Sequence, residues 1–182
     1  MATEILLTSE TFVKGVTNIS DNVAGKYLLP AIREAQEIGL REIVGDCLLD
    51  ALKMMVADGS IAAAENTPYR RLIDKAQYYL AYRAIVELTY KVSYKVTNFG
   101  VAKTTDENLQ VATQDEIGKM QYYYQAKADS CCLSLQSWIL ENKAALPLLD
   151  GCSCDRIKAN LYSAASCGIF LGGARGKGGR AR

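Results

Sequence analysis

Two long stretches, residues 67–97 and 113–143, repeat apolar residues at helical spacing, and they limit what the rest of the chain can build. In the first, Leu72, Ala76, Leu80, Ala84, Leu88, Val92 and Val96 recur at steps of four, which predicts a helix with an apolar stripe. Thr67 is its expected cap and Pro68 its first helical residue, where a missing N–H is no loss. Thr, Val and Tyr weaken its end, and Asn98 and Gly100 close it. The second opens with Thr113-Gln114-Asp115-Glu116, a capping box in which hydroxyl and carboxylate each satisfy the other residue's amide. Ile117, Met120, Tyr124, Cys131, Leu135, Trp138 and Ile139 then line one face, and Pro147 blocks continuation. Helices of this length must bury their apolar faces on other helices, so the expected fold is all-α: a compact bundle around two long helices.

The shorter segments fit that bundle. Residues 5–19 predict an extended piece, then one or two turns from a Ser or Thr cap at Thr8-Ser9, ended by Gly15 and Thr17-Asn18. Residues 20–39 predict a helix capped by Ser20 or Asp21, with Leu28, Ile32 and Ala35 on one face and Gly39 at its end. Pro30 is expected to kink it or to restart it near Leu29. Residues 40–58 predict a second amphipathic helix through Ile43, Val44, Cys47, Leu48, Ala51, Leu52 and Met55, with a break at Gly45-Asp46, Asp46 as the new cap, and a stop at Asp58-Gly59. Residues 98–112 read as a loop or a small β-hairpin between the long helices, projecting with Val101 and Leu109 as apolar contacts. The domain division is therefore 1–148 for the bundle and 149–182 for an extended Gly/Arg-rich C-terminal arm. Gly168, Gly172, Gly173, Gly176, Gly178 and Gly179 leave that arm too little apolar surface to fold alone.

The chain has no histidine, which removes the commonest general base, the His-activated nucleophiles and much zinc and iron ligation. Asp46 and Asp50, and Asp115 and Glu116, read as helix caps or dipole complements rather than acid/base couples. Six cysteines are present; Cys152-Ser153-Cys154 is one residue short of a CxxC pair, and Cys47 and Cys131 fall on apolar faces as buried small hydrophobes. The expectation is a protein that is not an enzyme, with no catalytic residue, metal or cofactor. No apolar run approaches the roughly 18 residues that span a bilayer, so a soluble chain with no membrane partner is expected. Net charge is +1, but Arg175, Lys177, Arg180 and Arg182 account for four of the cations, leaving residues 1–170 at −3. The body thus lacks the charge to grip nucleic acid. Tyr78, Tyr79, Tyr82, Tyr122, Tyr123 and Tyr124 read as core (Tyr79, Tyr124) and contact residues, not base-stacking platforms. Gly172-Gly173-Ala174-Arg175-Gly176-Lys177 lacks phosphate-loop spacing.

One resemblance covers nearly the whole chain. Tyr27-Leu28-Leu29-Pro30-Ala31-Ile32-Arg33-Glu34-Ala35-Gln36 followed by Ile43-Val44-Gly45 carries it, with Leu161-Tyr162-Ser163-Ala164-Ala165-Ser166 and Leu171-Gly172-Gly173-Ala174-Arg175-Gly176 near the end. The chain resembles the head-to-tail connector (adaptor, ring) proteins of tailed bacteriophages, most of all those of crAss-like phages and Bacteroides prophages. The resemblance implies a structural virion protein of the neck or tail, assembled in the host cytoplasm. It implies a homo-oligomeric ring, commonly a dodecamer, between the portal protein and other tail or ring proteins, with double-stranded DNA passing through the channel without specific binding. The arm would dock on the portal through Leu161, Tyr162, Ile169, Phe170, Leu171, Arg175, Lys177, Arg180 and Arg182. The alternative is a nucleic-acid-binding module that uses the basic glycine-rich tail.

Overall fold

The computed structural model describes residues 4–20, 22–97, 100–103 and 113–151; at 90, 92–97, 100–103, 150 and 151 it describes the backbone only. The expected arm, 149–182, lies outside the described residues from 152 onward, as do Asp21 and Leu109. The fold is all-α: a helical bundle with one small hairpin among the described residues.

An extended stretch leads into α1 (Glu10–Val16), capped by Ser9, whose hydroxyl accepts from the Phe12 amide at 3.1 Å. The next helix, α2, spans Gly25–Glu34 behind Ala24, with neither Ser20 nor Asp21 as cap. Pro30 neither breaks nor restarts it. Gly39 does not end it either, because the chain continues as a π-helical turn over Ala35–Leu40 and then as α3 (Arg41–Val44). The reason lies across the core. A Cβ at Gly39 would overlap the buried Tyr79 hydroxyl, so this glycine makes room for a neighbour instead of stopping a helix. The true stop is Gly45, at φ 83°, which is itself the cap of α4 (Asp46–Ala57). Asp46 is the first helical residue, and its carboxylate accepts from Arg41 at 2.7 Å. Cys47 is exposed, not buried as its pattern suggested, because α4 begins with it on the solvent side.

The longest elements are α5 (Thr67–Ser93) and α6 (Gln114–Glu141). Thr67 is the first residue of α5, not its cap: its hydroxyl donates to the Ala64 carbonyl at 2.7 Å. The α5 helix stops four residues before the expected Thr97, because Tyr94–Thr97 forms β1, paired antiparallel with β2 (Gly100–Lys103). The hairpin thus begins before 98–112: its second strand lies within that segment, but its first falls in the β-branched run that was expected only to weaken the helix. The α6 capping box forms as read, with Glu116 N donating to Thr113 Oγ1 at 3.3 Å and Thr113 N to Glu116 Oε2 at 2.8 Å. A short α7 (Leu148–Gly151) ends the described chain, its Leu148 amide donating to Tyr69 Oη at 3.3 Å.

α5 is the hub. Leu72, Ala76, Leu80, Ala84 and Leu88 are buried as expected, but so are Ile73, Ala81 and Ile85. Steps of four advance 400°, so the stripe turns about 40° per step and serves more than one neighbour. Lys91 meets Glu34, and Gly39 underlies Tyr79, so α2 and the π turn run antiparallel to α5. Lys75 sits over the Trp138 ring and Arg83 donates to Gln125 at 2.8 Å, so α6 is antiparallel to α5 as well. The N-terminal stretch is tied in by two glutamines. Buried Gln36 accepts from Leu7 N at 2.8 Å and donates to the Ile5 carbonyl at 3.0 Å, while Gln77 donates to the Leu7 carbonyl at 3.0 Å.

Candidate interaction surface

Of the residues expected to bind partners, Val101 lies in β2 opposite Val96. Leu109, Leu161, Tyr162, Ile169, Phe170, Leu171, Arg175, Lys177, Arg180 and Arg182 all lie outside the described residues. The described surface offers two other features, a groove and a helix face.

The groove, about 340 Å³, is lined by Leu6, Leu7, Thr8, Val56, Ile73 and Gln77 among others, with Arg70 at its edge. It has no carboxylate or thiol among its lining residues, and hence no couple for proton transfer or nucleophilic attack. Two thiols elsewhere, Cys131 and Cys132, are not activated. Burial pushes both Cys131 and Cys132 up from the ordinary thiol range, and Asp129 adds to the effect at Cys132. A thiol held protonated is a poor nucleophile and a poor metal ligand. Among the described residues no three or more Cys, Asp or Glu are grouped to hold a metal. No helix among them is long and apolar enough to cross a membrane.

The strongest charge cluster is structural. Glu37 is bonded by Lys53, Arg41 and Gln36, and Arg41 also reaches Asp46 at 2.7 Å and Asp50 at 3.6 Å. Burial alone would raise the Glu37 carboxyl, but the bonds from Lys53, Arg41 and Gln36 and the Lys53 charge outweigh it and bring its pKa down to about 2. The cluster ties α4 to the π turn. The expected roles of Asp46 and Asp50 as helix-end complements thus extend to holding Arg41.

The helix face belongs to α6. Tyr124, Ala128, Leu135 and Ile139 turn into the core, as does Tyr79 from α5. Met120, expected in the core, is exposed. The outward side carries Tyr123 at 54%, Leu133 at 57% and Leu140 at 53% exposure, with exposed Ala126, Ser130 and Ser137 between them. From Ser130 to Leu140 there is no acid or base. Charge depletion of that length marks the centre of protein contacts more than ordinary surface. The signal was present in the sequence, but the core stripe on the other side of the same helix drew the pattern.

No curated protein and no solved structure matches the chain. Residues 40–158, from the last residue of the π turn through α7, match the model of a family of unknown function (DUF6712), and the chain belongs to that family.

Proposed function

We propose that this chain is a structural subunit of the head-to-tail connector of a tailed bacteriophage. It forms a ring between portal and tail, docks on the portal through its C-terminal arm, and lets the genome pass without gripping it. The chain catalyses nothing in this role and resides in the virion neck.

The observation that carries the reading is a near-neutral bundle in which most of the described cations are engaged within the chain. Arg33, Arg41, Arg83, Lys53, Lys91 and Lys119 are each held by a carboxylate of the same chain. Lys26, Lys75 and Lys127 lie over tyrosine or tryptophan rings. A wall past which DNA must slide is served by such a surface, because free cations would bind phosphates and hold the duplex in place. The resemblance carried by residues 27–36, 43–45, 161–166 and 171–176 supplies the rest of the argument.

The test is to mix the full chain with portal rings and image the product. The expected result is a second ring stacked on the portal, lost when residues 161–182 are removed. A chain that leaves the portal bare, but retards DNA or RNA at low salt through residues 172–182, would favour the nucleic-acid-binding alternative.

A further inference from the structure

We infer that the groove between the N-terminal stretch, α4 and α5 is the seat of this chain's own residues 153–157, with Asp155 paired to Arg70 and Ile157 in the groove. Leu6, Val56 and Ile61 line the groove half-buried, beside buried Ile73. An aliphatic side chain laid among them leaves water on both sides of the contact. Arg70 stands exposed at the edge, and no salt bridge among the described residues engages it. The lining has no carboxylate of its own. Thr8, 5% exposed, is part of the same lining, and its hydroxyl has no hydrogen-bond partner. The groove thus asks for an acid with an aliphatic side chain close behind it.

The chain past α7 carries that pair. α7 is held at the end of α5 that bears Arg70, because the Leu148 amide donates to the hydroxyl of Tyr69. Four residues lead from Gly151 to Asp155, a reach of up to about 14 Å. Asp155 is the only acid after Asp150. Side chains alternate along an extended chain, so Ser153, Asp155 and Ile157 share one side while Arg156 and Lys158 take the other. The first set suits Arg70 and the groove, and the second suits solvent. The family match points the same way: residues 40–158 run past α7 to Lys158 and stop before Leu161. The seat stands apart from the connector reading, whose docking residues begin at Leu161.

Carbodiimide cross-linking of the full-length Arg70→Lys variant tests the seat, since the reagent joins an amine to a carboxylate only where the two touch. The expected product is an intrachain amide between position 70 and Asp155, found by peptide mass spectrometry. It should be lost in R70K/D155N and about tenfold weaker in R70K/I157S. No link, a link from position 70 to Asp74 or another carboxylate instead, or a link undiminished by I157S overturns the seat. So does a link that joins isotopically labelled to unlabelled chains in a mixture, since a second copy would then be the occupant. Hydrogen exchange of the unsubstituted chain gives a second reading. Relative to their intrinsic rates, amides 154–158 should exchange about tenfold more slowly than those of 172–182. Arg70→Glu should erase that difference, and adding D155R should restore it. Equal exchange in the unsubstituted chain overturns the seat. Arg70 is exposed, so circular dichroism should show each variant folded.

Discussion

α5 is flanked by two neighbours that hold it in different ways. On the side of α2 and the π turn, buried Leu28, Ala31, Ile32, Ala35 and Leu40 are joined by polar, specific contacts: Gln36 of the π turn and Gln77 of α5 bind the backbone of Ile5 and Leu7, Lys91 meets Glu34, and Gly39 admits the Tyr79 hydroxyl. On the α6 side the contact is longer and mostly apolar, built on Tyr124, Ala128, Leu135 and Ile139, with Arg83 to Gln125 as its cross-link. The first arrangement fixes one register, since shifting it would strand buried polar groups. The second supplies burial but tolerates substitution of similar volume. Both partners of the helix therefore supply burial, and the α2 side adds the polar specificity.

Substitutions can break that division. The largest effect is expected on the apolar side, where Leu135→Ala opens a cavity in a fully buried position and should cost about 3 kcal/mol in denaturant unfolding. Gln36→Leu keeps most of the volume but leaves the Leu7 amide and Ile5 carbonyl unpaired, for a loss of about 2 kcal/mol. Hydrogen exchange should show the N-terminal stretch opening in this variant, with α6 protected as before. If α6 opens equally, the two sides are not separable. Gly39→Ala should cost about 1–2 kcal/mol by overpacking against Tyr79, and Y79F in the same chain should recover most of it. An additive pair of changes would contradict the close approach.

Two pH dependences sharpen the same comparison. Glu37 titrates near 2 in the folded chain and nearer its ordinary 4.5 unfolded. Its contribution is complete above 4.5 and lost as pH falls toward 2. Because the group is partly solvated, the loss is about 1 kcal/mol, and Glu37→Gln should flatten that part of the acid limb. Tyr79, pushed up to about 12 by burial, with the Cys132 charge adding to it, contributes fully below pH 10 and loses that contribution between 10 and 12. Y79F should remove this alkaline step, read by thermal melts across pH.

The parts of the fold legible in the sequence were those governed by local chemistry. The Thr113–Glu116 box, the Ser9 cap, the break at Gly45 and the stripe of α5 follow from propensity and spacing within a few residues. What escaped depends on distant neighbours. Gly39 reads as a helix stop unless Tyr79 is known to press on it. Gln36 is an ordinary polar residue until the N-terminal segment it satisfies, 31 positions away at Ile5, is in place. The shift of the hairpin to Tyr94–Lys103 reflects a competition between helix and strand that β-branched residues leave close to balance. The outward face of α6 was visible as a charge-free run, but exposure cannot be read from periodicity when both sides of a helix carry apolar residues.

The connector proposal is tested most directly by quantitative mass spectrometry of tailed particles purified from cells that carry the gene for this chain. The account predicts the chain in every preparation at a fixed ratio to the portal subunit, near one to one. Its absence from intact, genome-filled particles would contradict the assignment.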